Sequence, residues 1–117
     1  MTNNGDLRDL TAVDRLIHEP ARLLIMAILA AVDGADFLYL LRETGLTKGN
    51  LSAHLSKLEE AGYVVIEKGY RGKIPQTLCR ITEDGRTAFK VYHQQLKRLA
   101  AQLPEDGGQV TSSLEVL

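Results

Sequence analysis

The sequence predicts a mainly α fold with one small β-hairpin, and with helices near the chain ends suited to pairing with a second copy. Three observations carry this prediction. Apolar residues recur at helical spacing in successive stretches. Two β-prone runs, Tyr63 to Lys68 and Gln76 to Thr82, flank a turn with two glycines and two cations, Gly69-Tyr70-Arg71-Gly72-Lys73. The helices at 37–44 and 48–61 are joined by Thr44-Gly45-Leu46-Thr47, the length pattern of a helix-turn-helix.

A first helix is expected from about Thr11, a possible N-cap, to His18, with Pro20 ending it because Glu19 is pushed out of the helical region. Pro20 then opens a second helix to Val32, where its missing N–H costs nothing. That helix is apolar almost all round, so it should be the central one, covered on every side and stopped by Gly34. Asp36 can cap the short helix FLYLLRET, with Phe37, Leu40 and Leu41 inward and Gly45 as its stop. Thr47 caps the next helix, Lys48 to Ala61. Leu46 and Leu51 occupy the two positions of a hydrophobic staple, and Leu51, Leu55 and Leu58 form one apolar stripe. Pro75 is expected at the mouth of the returning strand. Thr82 caps a last helix to about Leu103, with Glu83 and Asp84 in its first turn. One domain is expected over residues 11–103, with flexible ends at 1–10 and 104–117.

A chain of 117 residues is long enough for one core and too short for separate substrate and cofactor domains. A single cysteine, Cys79, excludes an internal disulfide framework and a multi-cysteine zinc site. His18, His54 and His93 are far apart in sequence, so no metal and no cofactor is expected. There is no Gly-rich phosphate loop and no nucleophile elbow, so no enzyme is expected. In a strand, Cys79 reads as a buried filler. The longest apolar run, Leu23 to Val32, is too short to span a bilayer, and no signal peptide is visible. A cytoplasmic protein without membrane contact is the expectation. The net charge is −1, yet residues 44–80 carry a net +3 between two acidic ends. A basic middle is the charge pattern that suits a polyanion partner.

Three ordered motifs carry a family resemblance. The stretch from Gly45 to Val64, GLTKGNLSAHLSKLEEAGYV, resembles the recognition-helix signature of small winged helix-turn-helix regulators of the MarR/ArsR-like type. Glu67 to Thr77, EKGYRGKIPQT, resembles their wing, and Ile81 to Phe89, ITEDGRTAF, the start of their final helix. The resemblance covers about Val13 to Leu99. It implies a homodimeric transcriptional regulator that binds double-stranded DNA with the helix at 48–61 in the major groove. The cysteine pair of metal-sensing relatives is absent from the helix at 37–44.

Placed at 100° per residue, Leu51, Leu55 and Leu58 fall on one side of their helix. Gly49, Asn50, Ser52, Ala53, Ser56 and Lys57 lie on or beside the other. Small residues let a helix backbone approach a groove floor, and recognition helices read bases from their N-terminal end. Asn50 suits an adenine edge, and Lys57 a guanine or a phosphate. Thr47, Lys48 and Ser52 suit phosphates near the helix N-terminus. For His54 two readings stand: a phosphate donor, as the resembled Ser-x-His-Leu motif implies, or a half-buried helix histidine. Arg71 and Lys73 suit the adjacent minor groove or its phosphates. The alternative function is a winged-helix module for protein or RNA contacts.

Phe89, Tyr92, Leu96, Leu99 and Leu103 follow a heptad-like spacing and are expected at a subunit interface. The first helix, around Leu10, Val13 and Ile17, is a second candidate surface. The operator and any small-molecule effector are unknown from sequence.

Overall fold

The computed structural model describes residues 13–104. Its elements, in order, are α1 (Pro20–Ala31), β1 (Ala35–Asp36), α2 (Phe37–Thr44), α3 (Lys48–Glu60), β2 (Val64–Arg71), β3 (Ile74–Ile81) and α4 (Glu83–Ala100). The strands form one antiparallel sheet in the order β1-β3-β2. Asp14–Lys90 forms one compact unit, and α4 from Val91 onward belongs, with Val13, to a second.

The core of the first unit is built from Ile17, Ile25, Met26, Leu29, Leu40, Leu51, Leu55, Leu58, Val64 and Cys79, each no more than 2% exposed. Burying each of the larger aliphatic chains contributes roughly 1.5–3 kcal/mol. α1 supplies Ile25, Met26 and Leu29, and so is central as expected. It is not covered on every side: Leu24 is 42% exposed, and Ala27 and Ala31 are exposed with it. Its composition is apolar all round because alanine is tolerated on a wet face. α1 also stops without help from Gly34. Its C-cap is Val32, in extended conformation at φ −129°. Arg86 Nη1 donates to the Ala30 carbonyl at 3.2 Å, so a cation from α4 satisfies the end of α1.

No helix forms between Val13 and Glu19, against expectation, and Thr11 lies outside the described residues. The side chain of Asp14 accepts from the N–H groups of Leu16 (2.9 Å) and Ile17 (3.3 Å). That local bonding offers the backbone an alternative to the helix. Glu19 then caps α1, its Oε1 accepting from the Arg22 N–H at 2.8 Å.

The helix-turn-helix is built as predicted. Asp36 caps α2, and Gly45 ends it at φ 72°, with its N–H bonded to the Leu41 carbonyl. Thr47 caps α3, its Oγ1 accepting from the Asn50 N–H at 3.1 Å. Gly62, at φ 81°, lets the chain leave α3 for β2.

The hairpin is longer than its sequence suggests. Its turn is only Gly72-Lys73, because Arg71 pairs with Ile74 and Tyr70 with Pro75. Pro75 therefore lies within the strand and not at its mouth. In a two-residue hairpin the flanking pair exchanges hydrogen bonds and the next pair does not, so the missing donor of Pro75 faces away from β2. β1 pairs only with Leu78 and Cys79, so that side of Pro75 is open. β1 itself, two residues long, has no signal in the sequence.

Thr82 joins hairpin, α3 and α4. Its N–H bonds to the Tyr63 carbonyl at 3.0 Å, its hydroxyl donates to the Gly62 carbonyl at 2.6 Å, and its Oγ1 accepts from the Gly85 N–H at 2.9 Å. Gly85 sits so close to this junction that a Cβ there would collide with the Tyr63 carbonyl oxygen. Tyr63 in turn donates its hydroxyl to Asp14 Oδ2 at 2.7 Å.

The expected interface residues divide. Leu10 lies outside the described residues. Val13 (5%), Ile17 (0%) and Tyr92 (1%) are buried. Phe89, Leu96 and Leu99 are half-buried, and Leu103 is 52% exposed.

Two outcomes follow from this packing. In a helix, glycine to alanine ordinarily stabilises by up to about 1 kcal/mol. Gly85→Ala should instead destabilise by about 1–3 kcal/mol through the backbone clash, whereas Gly49→Ala, with nothing within 4 Å of the added carbon, should hold or raise stability. Urea unfolding of the two variants reads the difference. The Tyr63 hydroxyl is pushed up to about 12 from 10, first by its hydrogen bond to Asp14 and then by burial. A raised folded value gives stability that is fully present below pH 10 and lost as pH rises toward about 12. Tyr63→Phe should be less stable near neutrality by about 1 kcal/mol, and should lose less stability across that alkaline window than the wild type.

Candidate nucleic-acid interface

The two faces of α3 differ completely. Leu51, Leu55 and Leu58 are 0%, 2% and 0% exposed, while Thr47, Lys48, Gly49, Asn50, Ser52, Ala53, Ser56 and Lys57 are all exposed. The first turn of α3 carries no acidic side chain, so its positive end is uncovered. Gly49 is informative because the chain's own packing does not require it. A Cβ there meets nothing within 4 Å, and its φ is not positive. Packing within the chain therefore leaves room for a side chain at this position.

The hairpin presents two faces. Val64, Ile66, Lys68 and Tyr70 alternate with Val65, Glu67, Gly69 and Arg71 along β2. The first set continues the core outward. Lys68 and Thr77 line, with Ile66, Phe37, Ser52, Leu55, Ser56 and Glu59, a groove of about 560 Å³ between α3 and the hairpin. Lys68, Tyr70 and Thr77 were not singled out from sequence, although the alternation from Val64 through Ile66 places Lys68 and Tyr70 on that face. Arg71 is on the opposite face, paired with Ile74, and Lys73 is in the turn, both exposed as expected. Tyr70 (74% exposed) and Ile74 (69%) give this basic tip an apolar character that the charge pattern alone conceals.

Asp36 fastens the hairpin to α2. Gln76 Nε2 donates to its Oδ2 at 3.0 Å while the Leu38 N–H bonds to its Oδ1 at 2.6 Å. The Gln76 bond, then the Leu38 N–H, and more weakly the charge of Arg71, hold its carboxyl below the ordinary aspartate value. Gln76 pairs with Gly69, between Lys68 and the turn, so this bond holds the outer half of the hairpin that carries Lys68 and Arg71.

His54 is half-buried, with its side chain 21% exposed, and has defined neighbours. Arg22 Nη1 lies 3.2 Å from its Nδ1, and Glu19 Oε1 3.9 Å from the same atom. Arg22 Nε also donates to the Leu16 carbonyl at 2.6 Å. The Glu19 carboxyl is held below its ordinary value, mainly by the Arg22 N–H and less by the charge of Arg22.

Cys79 is fully buried, and burial pushes its thiol up to about 11, which leaves it unsuited to nucleophilic chemistry. Among the described residues no group of three or more His, Cys, Asp or Glu is placed to hold a metal ion, and no helix is long and apolar enough to cross a membrane.

Comparison with known proteins agrees with this geometry. Residues 21–100 match the family model described as a winged helix DNA-binding domain. An uncharacterized protein of Methanocaldococcus jannaschii is 37% identical over 87 residues, covering 74% of this chain and 94% of that one. A transcriptional regulator homologue from Pyrococcus horikoshii has a solved structure that superposes with a TM-score of 0.76 at 29% identity, covering 80% of this chain and 95% of that one. The repressor CouR, solved on a 23-mer DNA duplex, shares the fold at a TM-score of 0.65 and 21% identity, over 92% of this chain and 79% of its own.

Proposed function

The chain belongs to the winged helix DNA-binding domain family, and on that premise we propose that it is a homodimeric transcriptional regulator that controls a promoter by occupying a two-fold symmetric site. α3 lies in the major groove and the tip of the hairpin on the adjacent minor groove or its phosphates. The observation that carries this reading is the exposed face of α3. A solvated helix face usually carries mainly Glu and Lys, whereas on this one Gly49, Asn50, Ser52, Ala53 and Ser56 lie between Lys48 and Lys57, with Glu59 and Glu60 only in the last turn. Small groups allow the backbone close to the groove floor, and Asn50 offers the paired donor and acceptor that match an adenine edge. Lys48, Lys57, Lys68, Arg71 and Lys73 supply phosphate contacts around it.

The same face disfavours the rival readings. A protein-docking α3 would present large apolar or acidic residues there. A single-strand RNA binder needs aromatic platforms for stacking, and the exposed aromatics are Tyr70 and, less so, Tyr39. A DNA-bound regulator works inside the cell and needs no catalytic group.

One recognition helix reads only a few base pairs, so specificity calls for two of them about one helical turn apart. We assign the subunit contact to the second half of α4, where Leu96 and Leu99 are half-buried, and to the turn after it, where Leu103 is exposed.

Asn50→Ala should weaken binding to the preferred site by about 1–3 kcal/mol and leave random duplex almost unchanged. Arg71→Ala with Lys73→Ala should weaken both alike and reduce the slope of log K against log salt by about 0.9 for every phosphate no longer neutralised. Titrations of the two variants over a salt series separate a base reader from a phosphate contact. Sedimentation at micromolar concentration should find a wild-type dimer, and Leu96→Asp with Leu99→Asp should give a folded monomer without site-specific binding. A wild-type monomer that binds an inverted repeat tightly would refute the dimer.

A further inference from the structure

Arg22 of α1 has no direct part in the interface described above, yet it reaches the side of α3. Its guanidinium is held at two points: Nε on the Leu16 carbonyl at 2.6 Å, and Nη1 against His54 Nδ1 at 3.2 Å. A guanidinium carries only donors and keeps its charge. The contact is therefore a hydrogen bond only when Nδ1 has no proton. A neutral imidazole has one proton to place, and with Nδ1 accepting, that proton is on Nε2. Glu19 Oε1, 3.9 Å from Nδ1, is too far to compete for a hydrogen bond. Its charge offsets that of Arg22, so the histidine is not flanked by an uncompensated cation.

His54 follows Asn50 by four positions and precedes Lys57 by three, so it borders the exposed face that both occupy. Its side chain is 21% exposed. With Nδ1 engaged inside the protein, Nε2–H is the donor left for an outside acceptor.

We infer that Arg22 is a positioning residue for nucleic-acid binding: it fixes His54 as the Nε2–H tautomer, which donates to a backbone phosphate oxygen beside the α3 contact. This rests on the reading of α3 as the DNA-contacting helix. The contact has a signature that separates it from a lysine. A neutral donor displaces no counterion, so its removal lowers affinity without changing the salt slope. A phosphate contact carries no sequence information, so the weakening is equal on the preferred site and on random duplex.

The test uses two isosteres. His54→Asn places an amide oxygen near the Nδ1 position, keeping an acceptor for Arg22 but removing the outer donor. His54→Gln places an amide N–H near the Nε2 position. His54→Asn should keep wild-type thermal stability and bind both duplexes about tenfold more weakly at an unchanged salt slope, and His54→Gln should recover most of the affinity. Long-range ¹H–¹⁵N correlation spectra of the free wild type should place the imidazole proton on Nε2, and Arg22→Met should shift the ring toward a mixture of tautomers. A wild-type proton on Nδ1, or His54→Asn binding as tightly as wild type, would overturn the positioning role while leaving the DNA reading intact. A wild type that binds no duplex at all would refute the reading of α3 and the phosphate contact with it. If Arg22→Met fails to fold, the isostere pair and the wild-type spectrum still decide.

Discussion

The orientation of α3 depends on the burial of Leu51, Leu55 and Leu58. With these three at most 2% exposed, the helix has no rotational freedom about its axis. A turn of 100° would carry all three leucines off the buried side and, in one direction, bring Asn50 and Lys57 inward without partners, at a cost of several kcal/mol. The outward presentation of Gly49, Asn50, Ser52 and Ser56 is thus a consequence of core packing. The Thr47 cap and the left-handed Gly62 then fix where the helix begins and ends.

The hairpin is tied to α3 by a smaller set of bonds. Thr82 holds the carbonyl of Gly62 and the N–H of Gly85 with one hydroxyl, and Gly85 has no side chain because the Tyr63 carbonyl occupies that space. Asp36 anchors the hairpin to α2 through Gln76. Arg86 anchors α4 to the end of α1. In this frame the Thr-x-x-Gly-Arg pattern is a joint: threonine caps, glycine yields room and arginine reaches the neighbouring helix.

Much of this was legible in the sequence because local chemistry and long-range packing agree there. α2, its Gly45 stop, the Thr47 cap and the leucine stripe all follow from spacing and capping rules. What was not legible depended on partners distant in sequence. β1 exists only because Cys79 and Leu78 offer an edge to pair with. The segment after Val13 is turned, not helical, because the Asp14 carboxylate captures the nearby N–H groups. The exposure of Leu24 and the burial of Ile17 were equally out of reach, since an apolar stripe does not state what covers it. At the candidate interface, the exposed residues of α3 were identified one by one, while Lys68 and Thr77 entered only when the fold set them beside Ser52 and Ser56.

The central claim is that α3 reads base edges in duplex DNA and that two copies read together. Selection of bound duplexes from a randomised pool by the wild-type chain tests it most directly. The account predicts enrichment of one inverted repeat whose half-site centres are about 10 base pairs apart, bound at least about a thousandfold tighter than random duplex at physiological salt. A pool that remains random after repeated rounds, with binding that depends on salt and not on sequence, would contradict it.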